Sequence, residues 1–95
     1  MSNIKVYVDV IAFFNTDGNL LPLQLTWEDG RKYTIDRVLD VCPAPALKAG
    51  GQGDRYKIRV RGKESFLFFE RNGSLGGNNI GRWFVERKLP EKEYY

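Results

Sequence analysis

Apolar and polar side chains alternate with a period of two along most of this chain, the signature of strands with one buried face. In residues 3–14, Ile4, Val6, Val8 and Val10 alternate with Lys5, Tyr7 and Asp9, and the β-branched content adds to the strand preference. Residues 15–19, with Asp17-Gly18 inside them, predict the first turn. Leu21, Leu23, Leu25 and Trp27 then fall on one face of a second strand, with Pro22, Gln24 and Thr26 on the other. Pro22 has no N–H to give to a ladder, so this strand is expected to begin at a sheet edge or after a bulge.

The next turn is fixed by register. A two-residue Asp29-Gly30 loop would set Leu25 against Thr34 and send Tyr33 and Ile35 to the wrong face. A three-residue loop over 28–30 pairs Trp27 with Arg31, Leu25 with Tyr33 and Leu23 with Ile35. This predicts a type I turn closed by Gly30 in the left-handed region, because a one-residue slip would turn the apolar set into water. The third strand is expected to continue through Val38 to Val41, with a bulge where Asp36-Arg37 blurs the alternation.

Residues 55–70 hold the most distinctive pattern. Arg55, Lys57, Arg59 and Arg61 alternate with Tyr56, Ile58 and Val60, and Gly62-Lys63 has the chemistry of a two-residue type II′ turn. That turn sets Arg61 opposite Glu64, Arg59 opposite Phe66, Lys57 opposite Phe68 and Arg55 opposite Glu70. The outer face then carries two cations beside two Phe rings, closed at each end by an Arg/Glu pair. Basic groups that follow phosphates and rings that stack on bases are the means by which nucleic-acid strands are held. The competing arrangement lays the cations' aliphatic stems over the rings and leaves their heads in water.

A last strand over 80–87 places Trp83 and Val85 on one face and Ile80, Arg82, Phe84 and Glu86 on the other. Paired with residues 66–69 in a meander, it adds Arg82 and Phe84 to the outer patch. So apolar a patch calls for a cover: the 89–95 tail, the turn at 43–48, a second copy of the chain, or a ligand. Pro45 predicts one helical turn through Lys48, ended by Gly50. Gly50, Gly51 and Gly53 lack the Gly-Lys-Ser/Thr ending and the following helix of a phosphate loop, and they read as a connection, as do residues 72–79.

Ninety-five residues make one domain, expected over 1–88 with a tail over 89–95. No apolar run approaches the roughly 20 residues of a membrane helix, and the opening residues read as a strand, not as a signal peptide. Cys42 is the one cysteine, so no internal disulfide forms, in keeping with a cytoplasmic location. The net charge of +3 is modest, but residues 48–95 carry eleven basic and six acidic side chains against four and six in residues 1–47, which predicts one more positive side. There is no histidine, which removes the commonest general base and zinc ligand. Cys42 precedes a proline and has no such partner, so no catalytic residue, metal or cofactor is expected.

Residues 22–41, PLQLTWEDGRKYTIDRVLDV, together with GRWFVE at 81–86, resemble small uncharacterised bacterial all-β proteins with a Trp-x-Asp-Gly-Arg-x-Tyr hairpin and an aromatic final strand. Trp27, Arg31, Tyr33, Val38, Leu39, Trp83 and Phe84 match that pattern. The resemblance implies hairpin and core chemistry, carries no catalytic residue, and does not reach the basic hairpin.

These readings predict an all-β domain of about six antiparallel strands in a small closed or partly closed, SH3-like barrel, with a two-sheet sandwich as the alternative. The expected function is non-catalytic binding of nucleic acid, with Lys57, Arg59 and Arg82 on phosphates and Phe66, Phe68 and Phe84 stacking. The alternative is a homodimer or protein-partner interface on the same aromatic face.

Overall fold

A computed structural model describes residues 3–44, 53–71 and 77–88, and every regular element among them is a strand. In chain order these are β1 (Asn3–Phe14), β2 (Leu20–Thr26), β3 (Lys32–Thr34), β4 (Arg37–Pro43), β5 (Gly53–Val60), β6 (Lys63–Arg71) and β7 (Gly81–Lys88). They form one antiparallel sheet in the order β3-β2-β1-β7-β6-β5-β4. The expected helical turn at 45–48 and the 89–95 tail lie outside the described residues. No helix among the described residues is long and apolar enough to cross a membrane.

Strands β3 and β4 are the two edges of the sheet, yet only Ile35 and Asp36 separate them. The sheet therefore has to curl until its edges meet. Two consecutive amides show it doing so: Ile35 N–H donates to the Leu23 carbonyl on β2 (2.8 Å), and Asp36 N–H donates to the Arg59 carbonyl on β5 (2.8 Å). The result is a curled half-barrel, in agreement with the expected partly closed barrel and not with a sandwich. Seven strands replace six because the stretch read as one third strand breaks where a bulge was expected.

β1 supports the curl by serving two neighbours in succession. Its first half pairs with β7, from Asn3↔Lys88 to Val8↔Trp83, and its second half with β2, from Asp9↔Thr26 to Phe14↔Leu20. The enclosed face gathers Val8, Leu25, Ile35, Tyr56, Ile58, Leu67 and Phe69. Burying each large aliphatic side chain there contributes roughly 1.5–3 kcal/mol. Tyr56 also ties the two sides of the barrel together, its hydroxyl donating to the Leu20 carbonyl on β2 at 2.7 Å. Burial, with the nearby Asp54 carboxylate second, pushes the Tyr56 phenol up from its usual range.

The β2–β3 turn forms in the expected register. Leu25 pairs with Tyr33, Trp27 N–H donates to the Arg31 carbonyl (2.7 Å), and Gly30 takes a φ of 90°. The face assignment of β2 changes at its start. Ile11 pairs with Gln24 but Ala12 with Pro22, so Leu23 is an extra residue with no partner on β1. That bulge reverses the alternation: Pro22 is fully buried and Leu23 is turned outward.

The β5–β6 turn also departs from expectation. Its central residues are Arg61 and Gly62, with φ of 52° and 77°, so the turn is type I′ and not type II′. Moving the loop by one residue slides the partners by two. Lys57 lies opposite Phe66, Arg55 opposite Phe68, Arg59 opposite Glu64 and Gly53 opposite Glu70. A slide of two keeps every side chain on its face and changes every neighbour, because the side-chain period is also two. Lys63 gains a place in the ladder opposite Val60, at the cost of a left-handed arginine.

A non-glycine residue in the left-handed region is uncommon, and asparagine tolerates it best. Replacing Arg61 by Asn is expected to stabilise the protein by about 1 kcal/mol, raising Tm by roughly 4–8 °C for a domain of this size. A lower Tm in thermal unfolding would show that the Arg61 guanidinium over the Tyr33 ring, 5.3 Å from its centroid, outweighs the turn preference.

Candidate nucleic-acid interface

The outer face of the barrel is organised in a rung across five strands. Register sets Tyr7 opposite Phe84, Phe84 opposite Phe68, Phe68 opposite Arg55, and Arg55 opposite Cys42. Directly opposed residues of an antiparallel pair point to the same side, so three aromatic rings meet there. Phe68 and Phe84 stack at 5.0 Å with planes 6° apart, and Tyr7 meets Phe84 edge-on at 5.8 Å. Lys5 Nζ lies 4.8 Å above the Phe84 ring. Phe84 is left only 7% exposed. Over Phe84, part of the cover is supplied by Lys5 and Tyr7 of β1.

Glu70 holds this arrangement together. Its Oε1 accepts from Lys5 Nζ at 2.8 Å and from the Tyr7 hydroxyl at 3.1 Å, and its Oε2 accepts from Arg82 Nη2 at 3.4 Å. Arg82 also donates to the Tyr7 hydroxyl and lies with Cζ 3.9 Å from the centre of that ring. The hydrogen bond from Lys5 is the main reason the Glu70 carboxyl sits below its usual range, and the same bond raises the Lys5 ammonium above its own. Sequence pairing gave Glu70 to Arg55; the two-residue slide gives it to strands β7 and β1 instead.

The six residues expected to bind therefore divide. All lie on the outer face, but Phe84 is buried, Phe68 is stacked upon it, and Arg82 is engaged by Glu70 and Tyr7. Lys57 Nζ is 3.3 Å from Glu64 and lies across from Asp40. Arg59 and Phe66 remain open. Phe66 is 42% exposed, and the Arg55 guanidinium lies 4.7 Å from its ring centre.

The arginines sort in the same way. Arg31, Arg71, Arg82 and Arg87 pair with Asp29, Asp54, Glu70 and Glu28. Among the described residues Arg37, Arg55, Arg59 and Arg61 make no ion pair, and all four fall in one region. Arg37 and Arg59 are directly opposed, a like-charge placement that disfavours the sheet. Glu64, across from Arg59 on the other side, is drawn to Lys57. Arg55 lies further along the same face of β5, and Arg61 follows in the turn, its guanidinium over the Tyr33 ring. Three of the four were not among the expected binding residues. Arg55 and Arg61 had been assigned glutamate partners by the wrong turn, and Arg37 had been placed on the same strand as Tyr33.

Elsewhere, a cleft of about 500 Å3 opens between the β1–β2 turn and strands β4 to β6. Phe14, Leu20, Val41, Tyr56 and Phe69 line it beside the Arg71–Asp54 pair. No group of three or more His, Cys, Asp or Glu side chains gathers among the described residues.

A carboxyl held below its unfolded value stabilises the fold at pH above that value, near 4.5 for Glu70, and stops doing so as pH falls through the lower folded one. Glu70→Gln is therefore expected to lower the urea midpoint at neutral pH. Its deficit against the wild type should shrink steadily below about pH 4.5; a deficit independent of pH in urea titrations would show that the charge of Glu70 is not what holds Lys5 and Arg82 in place. No protein-family model, curated protein or solved structure matches this chain.

Proposed function

We propose that the chain is a non-catalytic binding module for nucleic acid, engaged through the outer face of β4 and β5. The observation that supports this is the placement of Arg37, Arg55 and Arg59 on the outer face of β4 and β5, with Arg61 following in the turn and the exposed Phe66 ring beside Arg55. These are the arginines without a carboxylate partner among the described residues, and two of them face one another. Phosphate oxygens relieve that repulsion and take the planar guanidinium in two parallel hydrogen bonds. Lys57 belongs to the same face, although Glu64 shares it. Lys5, Tyr7, Phe68, Arg82 and Phe84 serve as the scaffold that keeps the face rigid. The same proposal keeps the protein in the cytoplasm.

Binding of a labelled oligonucleotide, followed by anisotropy as salt is raised, tests the proposal. Four phosphate contacts predict a slope of log K against log salt of about −3. The double charge reversal Arg37→Glu with Arg59→Glu should abolish binding, whereas Arg87→Gln, at an arginine paired with Glu28 away from this face, should leave it nearly unchanged. No binding at low salt, or affinity indifferent to salt, would sink the idea.

A second reading, self-association or a protein partner, is favoured by a different surface from the aromatic face first considered. Ile11 (57% exposed), Phe13 (51%) and the bulge residue Leu23 (47%) lie on the outside of the β1–β2 pair, and clustered exposure of this kind marks contact sites. On this reading sedimentation shows a concentration-dependent oligomer that Phe13→Asp returns to monomer. A wild-type protein that stays monomeric at high concentration removes the self-association version.

A further inference from the structure

Resting on the nucleic-acid reading, we infer that the ligand is a single strand laid along β5 with one base stacked on Phe66, and not a duplex. Outward side chains of a strand recur every second residue, about 6.7 Å apart. Arg55, Lys57 and Arg59 thus form a file whose interval suits the phosphates of an extended single strand.

The flanks of the file narrow it to one backbone. Asp40 on β4 and Glu64 on β6 lie on either side of Lys57, so a second row of phosphates would fall on a carboxylate. At one end Arg37 stands across from Arg59, and the two guanidiniums converge on a single phosphate. Beside the file, opposite Lys57, is Phe66, with the Arg55 guanidinium 4.7 Å from its ring centre. Ring and guanidinium together form a platform for the face of a base. Unpaired bases offer that face, whereas a duplex keeps its bases stacked on one another.

The test compares three ligands at one salt concentration: a short oligothymidylate, a duplex of equal length, and heparin as a polyanion without bases. The single strand is expected to bind at least about tenfold more tightly than the other two, and Phe66→Ala to weaken it about tenfold while leaving heparin unchanged. Phe66 lies at the surface, and an unchanged Tm confirms that the variant is folded. Equal affinity for the duplex, or a Phe66→Ala variant that leaves the single strand unaffected or weakens all three ligands alike, overturns the single-strand inference and leaves the binding module standing. Absence of binding to all three ligands overturns both.

Discussion

Closure at the Ile35–Asp36 peptide is the constraint on which the remaining structure depends. Two neighbouring amides bond to strands on opposite sides of the sheet, and the ~3.8 Å between successive Cα atoms fixes how closely β2 and β5 must approach. Curling the sheet this far creates an inside that Leu25, Ile35, Ile58 and Leu67 fill. It also creates a convex outside that carries the long basic side chains. A flat sheet of the same strands would have had no enclosed face to bury that apolar set.

The outside is not uniform. On its β1–β7–β6 part, cations, rings and one carboxylate satisfy one another: Glu70 takes Lys5, Tyr7 and Arg82, and the rings of Tyr7, Phe68 and Phe84 cover each other. Exposed ion pairs of this kind contribute little singly, but each of these groups positions the next. On the β5–β4 part, arginines outnumber the carboxylates that reach them. The same residue types therefore build a closed, self-sufficient surface in one place and an unsatisfied one beside it. Residue type alone does not distinguish them, and register does.

Much of the fold was legible in the sequence. Period-two alternation located β1, β5, β6 and β7, and the burial of Tyr33 and Ile35 selected the three-residue turn at Gly30 over the two-residue one. The departures have local physical causes. Leu23 became a bulge because Pro22 cannot donate to a ladder, and nothing in the alternation says which residue will be extruded. The β5–β6 turn was misplaced because Gly62 serves equally as the first residue of a II′ turn or the second of an I′ turn. Both choices put the same side chains on the same face, so hydrophobic pattern cannot decide between them. The site inherited that ambiguity, since Arg55 was matched to Glu70 on a register two residues away. Lys5 and Tyr7 were invisible to the reading of the outer face because their contact with it requires β1 to lie beside β7, a pairing that no local signal announces.

That pairing bears on how the domain is made. Asn3 meets Lys88 and Val8 meets Trp83, so one neighbour of the earliest strand is the latest of the seven. Local hairpins such as β2–β3 and β5–β6 can assemble as soon as they leave the ribosome, but the step that joins β1 to β7 must wait until nearly the whole sequence is available. Barrels with such distant partners fold slowly compared with helical domains of the same size. Until that step, Val6 and Val8 lie on an unpaired edge, which gives an emerging chain a period of exposure to misassembly that its finished structure conceals.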